Sequence, residues 1–296
     1  MNTQASSPSS APPADAAIIR DAGDARLDDY RNLRERDLSD ARRAEGLFVG
    51  ETIHIVERML AQPGLVRSVL ASERMVDRVA ALIAASASPT TPLLVATEAI
   101  METTAGFHVH RGVLAMGLRA RLDSRAPLSA PFVEAHILLA LDGLNNMDNV
   151  GSIFRAAAAF GVGGVLLSRT SHDPLYRKSI RVSMGHALEV PFAWCEDLGV
   201  TLDELGRARE GQVLAADSSA DAPTIDDWLA DEAGAAAIDS PITLVIGSEF
   251  DGISASVSAA CTSRVRIPMA ARVDSLNAAV AASILLHRLA PRSREH

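Results

Sequence analysis

The chain has 296 residues, of which 48% are hydrophobic and 22% charged, a balance typical of one or two globular domains. Its two cysteines, Cys195 and Cys261, form no CxxC motif or Cys/His cluster, which argues against a disulfide framework or a zinc site and suits a reducing cytoplasm. The formal net charge of −9 argues against a nucleic-acid partner unless positive charge is concentrated locally.

Residues 1–17 are rich in Ser, Pro and Ala and have neither a basic n-region nor an apolar h-region. We therefore expect a disordered tail rather than a signal peptide. Residues 20–43 alternate positive and negative charges, which is typical of a solvated helical face. No apolar run approaches membrane-spanning length, so we expect no membrane partner.

Residues 46–117 alternate short apolar runs with helical stretches. The pattern predicts strands over residues 47–50, 65–71, 92–96 and 112–117, and helices over residues 51–61 and 72–86. This is an α/β unit, and we assign residues 18–118 to a first domain. Residues 119–131 are rich in Arg, Pro and Ser and have no period of their own, so they are the expected linker.

Residues 132–296 form the second predicted domain, which opens with a buried strand, AHILLAL, over residues 135–141. A helix follows, with Asn149 predicted as its N-cap and Gly161 marking its end. Strands and helices then alternate to a long apolar helix over residues 276–290. Such alternation predicts a mostly parallel sheet that is covered on both faces.

The usual nucleotide-binding signatures are missing or misplaced, because GxxxxGK[ST] does not occur and the glycines at 161–164 follow a helix instead of opening one. An NAD or ATP enzyme is therefore disfavoured. His108 and His110 form an H-x-H pair without an evident third ligand, and we expect no metal site. Two local groups of basic residues offer an RNA footprint despite the net charge. They are Arg111, Arg119, Arg121 and Arg125, opposed only by Asp123, and Arg169, Arg177, Lys178 and Arg181.

Three loops each follow an apolar strand and combine glycine with polar side chains, which is where open parallel sheets bind ligands. They cover residues 141–155, 244–254 and 267–282. Each has a plain structural explanation when taken alone. Asn149 would cap a helix, Gly247 and Gly252 would form a turn, and Ser275 or Asn277 would cap the last helix.

Together the loops resemble the three motifs of the SpoU (TrmH-like) branch of the SPOUT RNA methyltransferases. The matching residues are Asn149, Gly151 and Arg155; Gly247, Ser248, Glu249 and Gly252; and Ile267, Pro268, Met269, Ser275, Leu276 and Asn277. The segment Arg181, Ser183, Met184 and Gly185 also resembles the family's R-x-S-M-G. The chain departs from the family pattern at Gly50 and Glu51, which stand in reversed order, and at Ala271, where glycine is common.

The resemblance, which covers about residues 135–289, implies a fold and an activity. The fold is a C-terminal parallel sheet with a deep trefoil knot, preceded by a smaller α/β substrate-binding domain similar to small RNA-binding ribosomal proteins. The activity is methyl transfer from S-adenosyl-L-methionine to a ribose 2′-hydroxyl in RNA, with ribosomal RNA the first choice and tRNA the second, by a cytoplasmic homodimer that pairs through the C-terminal domain. The alternatives are a non-catalytic RNA-binding protein that keeps the knotted fold and a small-molecule methyltransferase.

The resemblance also assigns site residues. The catalytic set is Arg155, Asn149, Glu249 and Asn277; the cofactor set is Gly247, Ile267, Met269, Ser275 and Leu276; and the RNA-binding set is Arg177, Lys178 and Arg181. Either Glu249 or a phosphate oxygen of the RNA takes the proton, while Arg155 is a poor base and a good phosphate clamp. Counting from Asn149 as N-cap, Arg155 is expected in the second turn of its helix, within reach of the pocket.

Overall fold

The computed structural model describes residues 16–33, 45–122, 125–231, 234, 239–270, 272–273 and 275–290. The chain divides into two compact units, one ending at Arg121 and the other beginning at Leu122. The expectations for residues 1–15 and 34–44, and for Ala271, lie outside the described residues. The expected tail boundary at residue 17 is wrong, because Ala17 pairs with Leu94 in the first strand.

The first unit is built on a five-stranded mixed sheet with the order β1-β4-β3-β5-β2. Its strands and helices are β1 Ala17–Ile18, β2 Leu47–Glu51, α1 Ile53–Leu60, β3 Val66–Ser72, α2 Val76–Ala84, β4 Leu93–Ala96, α3 Glu98–Ala105 and β5 Val113–Leu118. The strands β1, β3 and β4 run parallel, and β5 is antiparallel to both β2 and β3. The four predicted strands and two predicted helices are all present, but the two-residue strand β1 was not predicted, because it is too short to show a period.

Helix α3 was not predicted, because its eight residues are too few for the apolar positions to show a clear helical period. Two local devices fix its ends instead. Thr97 accepts a hydrogen bond from the backbone N–H of Ile100 at the N-terminus, and Gly106 adopts a left-handed conformation with φ 77° at the C-terminus.

The expected linker contains two short elements, a 3-10 helix over Arg119–Arg121 and helix α4 over Ala130–Val133. Arg119 is only 3% exposed. It therefore cannot belong to an RNA footprint, and this part of the charge-based expectation is wrong.

The second unit contains a six-stranded sheet with the order β11-β9-β10-β6-β7-β8, in which every pairing is parallel. The strands are β6 Ile137–Asp142, β7 Gly164–Ser168, β8 Phe192–Cys195, β9 Gln212–Ala216, β10 Ile242–Gly247 and β11 Ser263–Val265. The helices are α5 Met147–Ala159, α6 Arg177–Val182, α7 Leu198–Arg209, α8 Ile225–Ala230, α9 Ala255–Ala259 and α10 Ala278–Leu289. The central strands β6, β7 and β10 are buried almost throughout, as a parallel sheet covered on both faces requires.

Helix α5 begins earlier than the sequence analysis predicted. Its N-cap is Asn146, whose side chain accepts hydrogen bonds from the backbone N–H groups of Asp148 (2.8 Å) and Asn149 (3.4 Å). The prediction of Asn149 as N-cap is therefore wrong. In the sequence either asparagine could cap the helix, because both precede residues that are compatible with a helix. In the structure the extended backbone that an N-cap requires occurs at Asn146.

Candidate active site

The three motif loops meet at one edge of the second sheet. Strands β6 and β10 are neighbours, and the last residue of β10, Gly247, is in register with the last residue of β6, Asp142. The loops that follow these two strands therefore begin side by side, as carboxyl ends of parallel strands do. Two hydrogen bonds fix them: Ser254 N–H donates to Asp142 Oδ2 (2.8 Å), and Gly143 N–H donates to Ser168 Oγ (2.9 Å).

The loop after β10 is a tight turn whose geometry requires its first glycine. Ser248 and Gly252 exchange backbone hydrogen bonds of 3.0 and 3.1 Å, so the chain returns directly over Gly247. A Cβ atom on Gly247 would lie 2.3 Å from the carbonyl carbon of Gly252, closer than real contacts allow. The turn expected at Gly247 and Gly252 is thus present, and it brings Glu249 to the edge of the site.

The third loop ends at helix α10, which Asn277 caps. Its Oδ1 accepts hydrogen bonds from the N–H groups of Ala279 (3.0 Å) and Val280 (3.2 Å). Of the two capping residues that the sequence allowed, the structure selects Asn277 over Ser275. The cap uses only the amide oxygen, which leaves the amide nitrogen to point elsewhere.

A chain of side-chain hydrogen bonds joins all three loops. Asn277 Nδ2 donates to Asn149 Oδ1 (2.8 Å), and Asn149 Nδ2 donates to Glu249 Oε1. Asn149 is only 4% exposed, whereas Asn277 and Glu249 are exposed. A buried amide that is satisfied on both atoms holds its neighbours in one geometry. Asn149 therefore orients Glu249 directly, and Asn277 fixes Asn149. Because both amide atoms of Asn149 are used in this way, its side chain does not cap the helix.

A cavity of about 380 Å³, here called the β10–β11 cavity, opens beside this chain. All five residues of the expected cofactor set line it: Gly247, Ile267, Met269, Ser275 and Leu276. Buried apolar side chains in its lining include Ile246, Val265 and Leu285. The volume lies within the range of small-molecule sites, which is about 300–1,000 Å³.

The lining of the β10–β11 cavity includes two charged residues that the motif analysis missed, Asp217 and Arg264. Asp217 directly follows β9, and a carboxylate at the carboxyl end of a parallel strand is the signal that could have found it. Burial tends to raise the pKa of Asp217, but hydrogen bonds from Ser219 and Arg264 outweigh it and hold the pKa below its usual value. Glu249 and Asp251 also line the cavity, so carboxylates outnumber guanidinium groups among its described lining residues, which favours a positively charged ligand.

A second, more open cleft adjoins the cavity and shares residues 248–251 with it. This α5 cleft has a volume of about 710 Å³. Its lining residues are Gly143, Asn145, Asn146, Met147, Asp148, Lys178, Ser248, Glu249, Phe250 and Asp251. Lys178 Nζ lies 2.7 Å from Asp148 Oδ2, so the lysine is already paired.

The model of the SpoU rRNA methylase family matches residues 136–287, which span the sheet of the second unit and all three loops. The chain belongs to the SpoU rRNA methylase family. Members of the family are RNA methyltransferases, and S-adenosylmethionine is their methyl donor.

Similar proteins extend this assignment over nearly the whole chain. An uncharacterized tRNA/rRNA methyltransferase of Mycobacterium bovis is 36% identical over 278 residues, which are 92% of this chain and 91% of the relative. The structure of a putative RNA methyltransferase of the TrmH family from Porphyromonas gingivalis is 27% identical, with a TM-score of 0.69 over 90% of this chain and 97% of that one. An AdoMet-bound rRNA methyltransferase from Sinorhizobium meliloti shares the fold, with a TM-score of 0.73 at 23% identity over 93% and 98% of the two chains.

Arg155, in the first SpoU motif, lies in the third turn of α5 and not in the second, because the helix begins at Met147. It is exposed and lines neither the cavity nor the cleft. Among the described residues it makes no ion pair, which excludes pairing with Asp148, bound to Lys178, or with Glu249, bound to Asn149. The guanidinium is therefore free to reach a ligand outside the protein.

The expected RNA-binding residues Arg177, Lys178 and Arg181 all lie on α6. Arg181 is exposed and the other two are partly exposed. Lys178 alone of the three lines the α5 cleft. Helix α6 packs closely against α5, since a Cβ on Gly151 would lie 2.7 Å from the carbonyl oxygen of Ser179. The motif glycine thus sets how near these basic residues come to the first loop.

Cysteine thiols and clusters of metal-binding side chains are two further kinds of reactive group, beside the motif residues, that an active site can use. No cysteine lines the cavity or the cleft. Burial raises the pKa of the Cys195 and Cys261 thiols to about 11, with the charge of Asp142 adding to the effect at Cys261. No cluster of three metal-binding side chains occurs among the described residues, where His108 instead lies 3.3 Å from Glu102. None of the helices described there is long and apolar enough to cross a membrane.

Proposed function

We propose that this SpoU protein transfers a methyl group from S-adenosyl-L-methionine to a ribose 2′-hydroxyl of RNA. The observation that carries the proposal is the hydrogen-bond chain Asn277–Asn149–Glu249, which fixes a carboxylate at the junction of the β10–β11 cavity and the α5 cleft. A cofactor in the cavity and a nucleotide in the cleft would meet at this carboxylate.

The residues present fit the cofactor. Its sulfonium and amino groups are positively charged, and the cavity has an excess of carboxylates. The close turn at Gly247 leaves backbone groups, rather than a side chain, facing the cavity, and Ile267, Met269 and Leu276 supply apolar surface for an adenosine. When bound, S-adenosylmethionine supplies an electrophilic methyl group with a neutral thioether as leaving group.

The protein's own residues then align the acceptor and remove its proton. Glu249, or a phosphate oxygen of the RNA, accepts the proton of the ribose hydroxyl, and the amides of Asn149 and Asn277 hold Glu249 in place. Arg155 grips a phosphate of the substrate with its planar guanidinium. Arg177 and Arg181 on α6 hold the adjacent RNA backbone, and Lys178 joins them where RNA displaces its ion pair with Asp148.

An oxygen acceptor fits this site better than a base carbon. Methylation of an unactivated pyrimidine carbon calls for a nucleophile such as a thiolate, and both thiols lie away from the site with a raised pKa. A carboxylate at the junction of the cavity and the cleft suits a hydroxyl acceptor, whose proton it can take.

Ribosomal RNA is the proposed substrate and tRNA the second candidate, in agreement with the tRNA/rRNA designation of the Mycobacterium bovis relative. We assign RNA binding to the first unit and place the reaction in the cytoplasm. We further propose the SpoU trefoil knot in the C-terminal segment. The pairing of β11 with β9, on the far side of β10 from β6, is compatible with that threading.

The test uses tritiated S-adenosylmethionine and total RNA from a strain that lacks the gene. A 2′-O-methyl group blocks alkaline cleavage at its own phosphodiester, so the label should appear in alkali-resistant dinucleotides from the ribosomal fraction. Label in mononucleotides would mean base methylation, label in tRNA would change the substrate, and no label in any RNA would favour the non-catalytic alternative.

Two variants connect the activity to the hydrogen-bond chain. Asn149→Ala and Glu249→Gln should lower the transfer rate on the order of 10²-fold while S-adenosylmethionine affinity stays within a few-fold. Glu204→Gln, which changes an exposed glutamate on α7, is the matched control and should keep full activity.

A further inference from the structure

Phe250 lies at the tip of the loop after β10, and 97% of its surface is exposed, more than any other large hydrophobic side chain among the described residues. The loop that presents it is well braced. Besides the backbone pairing of Ser248 with Gly252, the N–H of Asp251 donates to Ser248 Oγ at 3.0 Å. The aromatic ring is thus held in solvent by a fixed turn.

The position of Phe250 is specific, because it lines both the β10–β11 cavity and the α5 cleft. It directly follows Glu249, the carboxylate at the junction of the two. Isolated hydrophobic residues on a surface need no explanation, but this ring lies where a cofactor and its acceptor would meet.

The chemistry of the α5 cleft indicates which part of a nucleotide enters it. Asp148, Glu249 and Asp251 are acidic, and Lys178 is the one cation among the described lining residues. Since Lys178 is paired with Asp148, the cleft repels a phosphate. A neutral base and ribose suit it, because the side-chain amides of Asn145 and Asn146 can hydrogen-bond to base edges and hydroxyls.

We propose that Phe250 stacks on a base of the RNA at the α5 cleft, and that the enzyme therefore acts on a nucleotide outside a duplex. The inference rests on the proposed methyl transfer to RNA. Both faces of a base in a duplex are covered by its neighbours, so a protein ring can stack on a base only where it is unpaired and turned out. Phe250 then sets which nucleotide is presented, while the phosphates follow the arginines outside the cleft.

The test compares Phe250→Ala, Phe250→Leu and Phe250→Trp in the tritium assay, with ribosomal RNA and tRNA from the deletion strain as acceptors. Phe250→Ala should raise the KM for RNA roughly tenfold or more, with kcat changed less and S-adenosylmethionine affinity unchanged. Phe250→Trp should restore the KM, and Phe250→Leu, which keeps bulk without an aromatic face, should not. Val200→Ala removes another exposed hydrophobic side chain, on α7, and should have no effect.

A second arm uses the wild-type protein and an RNA oligonucleotide annealed across the methylated nucleotide. Transfer to that nucleotide should be lost, and an unchanged rate on the duplex would overturn the proposal. An unchanged KM in Phe250→Ala would also overturn it, as would a change from dimer to monomer in that variant, which would place Phe250 in a contact between copies. If the wild-type protein labels no RNA at all, the proposed function itself fails, and the two failures are thereby distinguished.

Discussion

At the scale of single residues, the site depends on amides and a carboxylate that are fixed by one another and on an arginine that is not fixed by the protein. Asn149 is buried and bonded on both sides of its amide, whereas Arg155, six positions later, is exposed and has no ion-pair partner among the described residues. The two residues of one motif thus differ in their structural role. One builds the site, and the other is available to the substrate.

This difference gives a prediction for Arg155. Arg155→Ala should lower methyl transfer on the order of 10²-fold while melting temperature and S-adenosylmethionine affinity stay unchanged, because Arg155 is exposed and has no ion pair with the described residues. Arg155→Lys should recover little activity, since an ammonium cannot bind two oxygens as a guanidinium does. Transfer rate, cofactor affinity and melting temperature should be measured on both variants. Normal turnover would remove Arg155 from the catalytic set.

The thiols give a second prediction at this scale. With the pKa of Cys195 and Cys261 raised to about 11, the thiolate fraction at about pH 8 is on the order of 10⁻³. The native protein should therefore react slowly with Ellman's reagent, and the same protein in guanidinium chloride should react at the rate of free cysteine. A fast native reaction would show that these thiols are more accessible than their packing indicates.

At the scale of secondary-structure elements, a glycine allows helices α5 and α6 to pack closely against each other. Gly151 lets α5 approach the last turn of α6, where its Cβ would also lie 2.8 Å from Val182 Cβ. This contact is a structural reason for the motif glycine, separate from any direct contact with a ligand. It also holds the basic helix α6 beside the first loop.

A pair of glycine variants tests this packing. Gly151→Ala should lower the free energy of unfolding by about 1–3 kcal/mol, because the added methyl forces α5 and α6 apart. Gly206→Ala is the control, since Gly206 is inside helix α7 and its Cβ would meet Val213 Cγ2 at an ordinary 3.5 Å. That substitution should be neutral or stabilise by up to about 1 kcal/mol. Urea unfolding measures both, and equal stability of the two variants would contradict the packing argument.

At the scale of the whole molecule, the units have separate roles in the proposal. Every described residue that lines the β10–β11 cavity belongs to the second unit. A fragment of residues 122–296 should therefore bind S-adenosylmethionine with the affinity of the full chain in a calorimetric titration. Circular dichroism provides the control for folding. A folded fragment that does not bind, when the full chain does, would mean that the first unit contributes to the cofactor site.

The exposed apolar surface of helix α10 gives a prediction about the oligomeric state. The helix buries Ala282, Leu285 and Leu286 in its own unit, yet Val280 and Ile284 remain 47% and 37% exposed on another part of its surface. A helix that is apolar on more than one face favours a partner, and we propose a homodimer through this surface.

Light scattering should therefore give the mass of a dimer at micromolar concentration. The double substitution Val280→Glu and Ile284→Glu should give a monomer with an unchanged circular dichroism spectrum. The control substitution Val200→Glu, at another exposed position, should leave the dimer intact. A monomeric wild-type protein would contradict the proposal.

The sequence by itself determined the elements and the family. Apolar runs predicted every strand of both sheets except the two-residue β1. Burial of one or both faces of a strand leaves a pattern of apolar residues in its own sequence, wherever the strand lies in the fold. The spacing of the three motif loops identified the SpoU resemblance and five residues that line the cavity. All of these are properties of short segments, which a sequence displays directly.

Only the tertiary structure decided what individual residues do. Asn146 and Asn149 are equivalent as cap candidates in the sequence, and the choice followed from partners 100 and 128 positions away, Glu249 and Asn277. Asp217 had one local signal, its position directly after β9, but Phe250 has none that separates it from other loop residues. Both residues reach the site because the register of the parallel strands brings together the carboxyl ends of strands that are distant in sequence. The sequence of a single strand does not show which strand it pairs with.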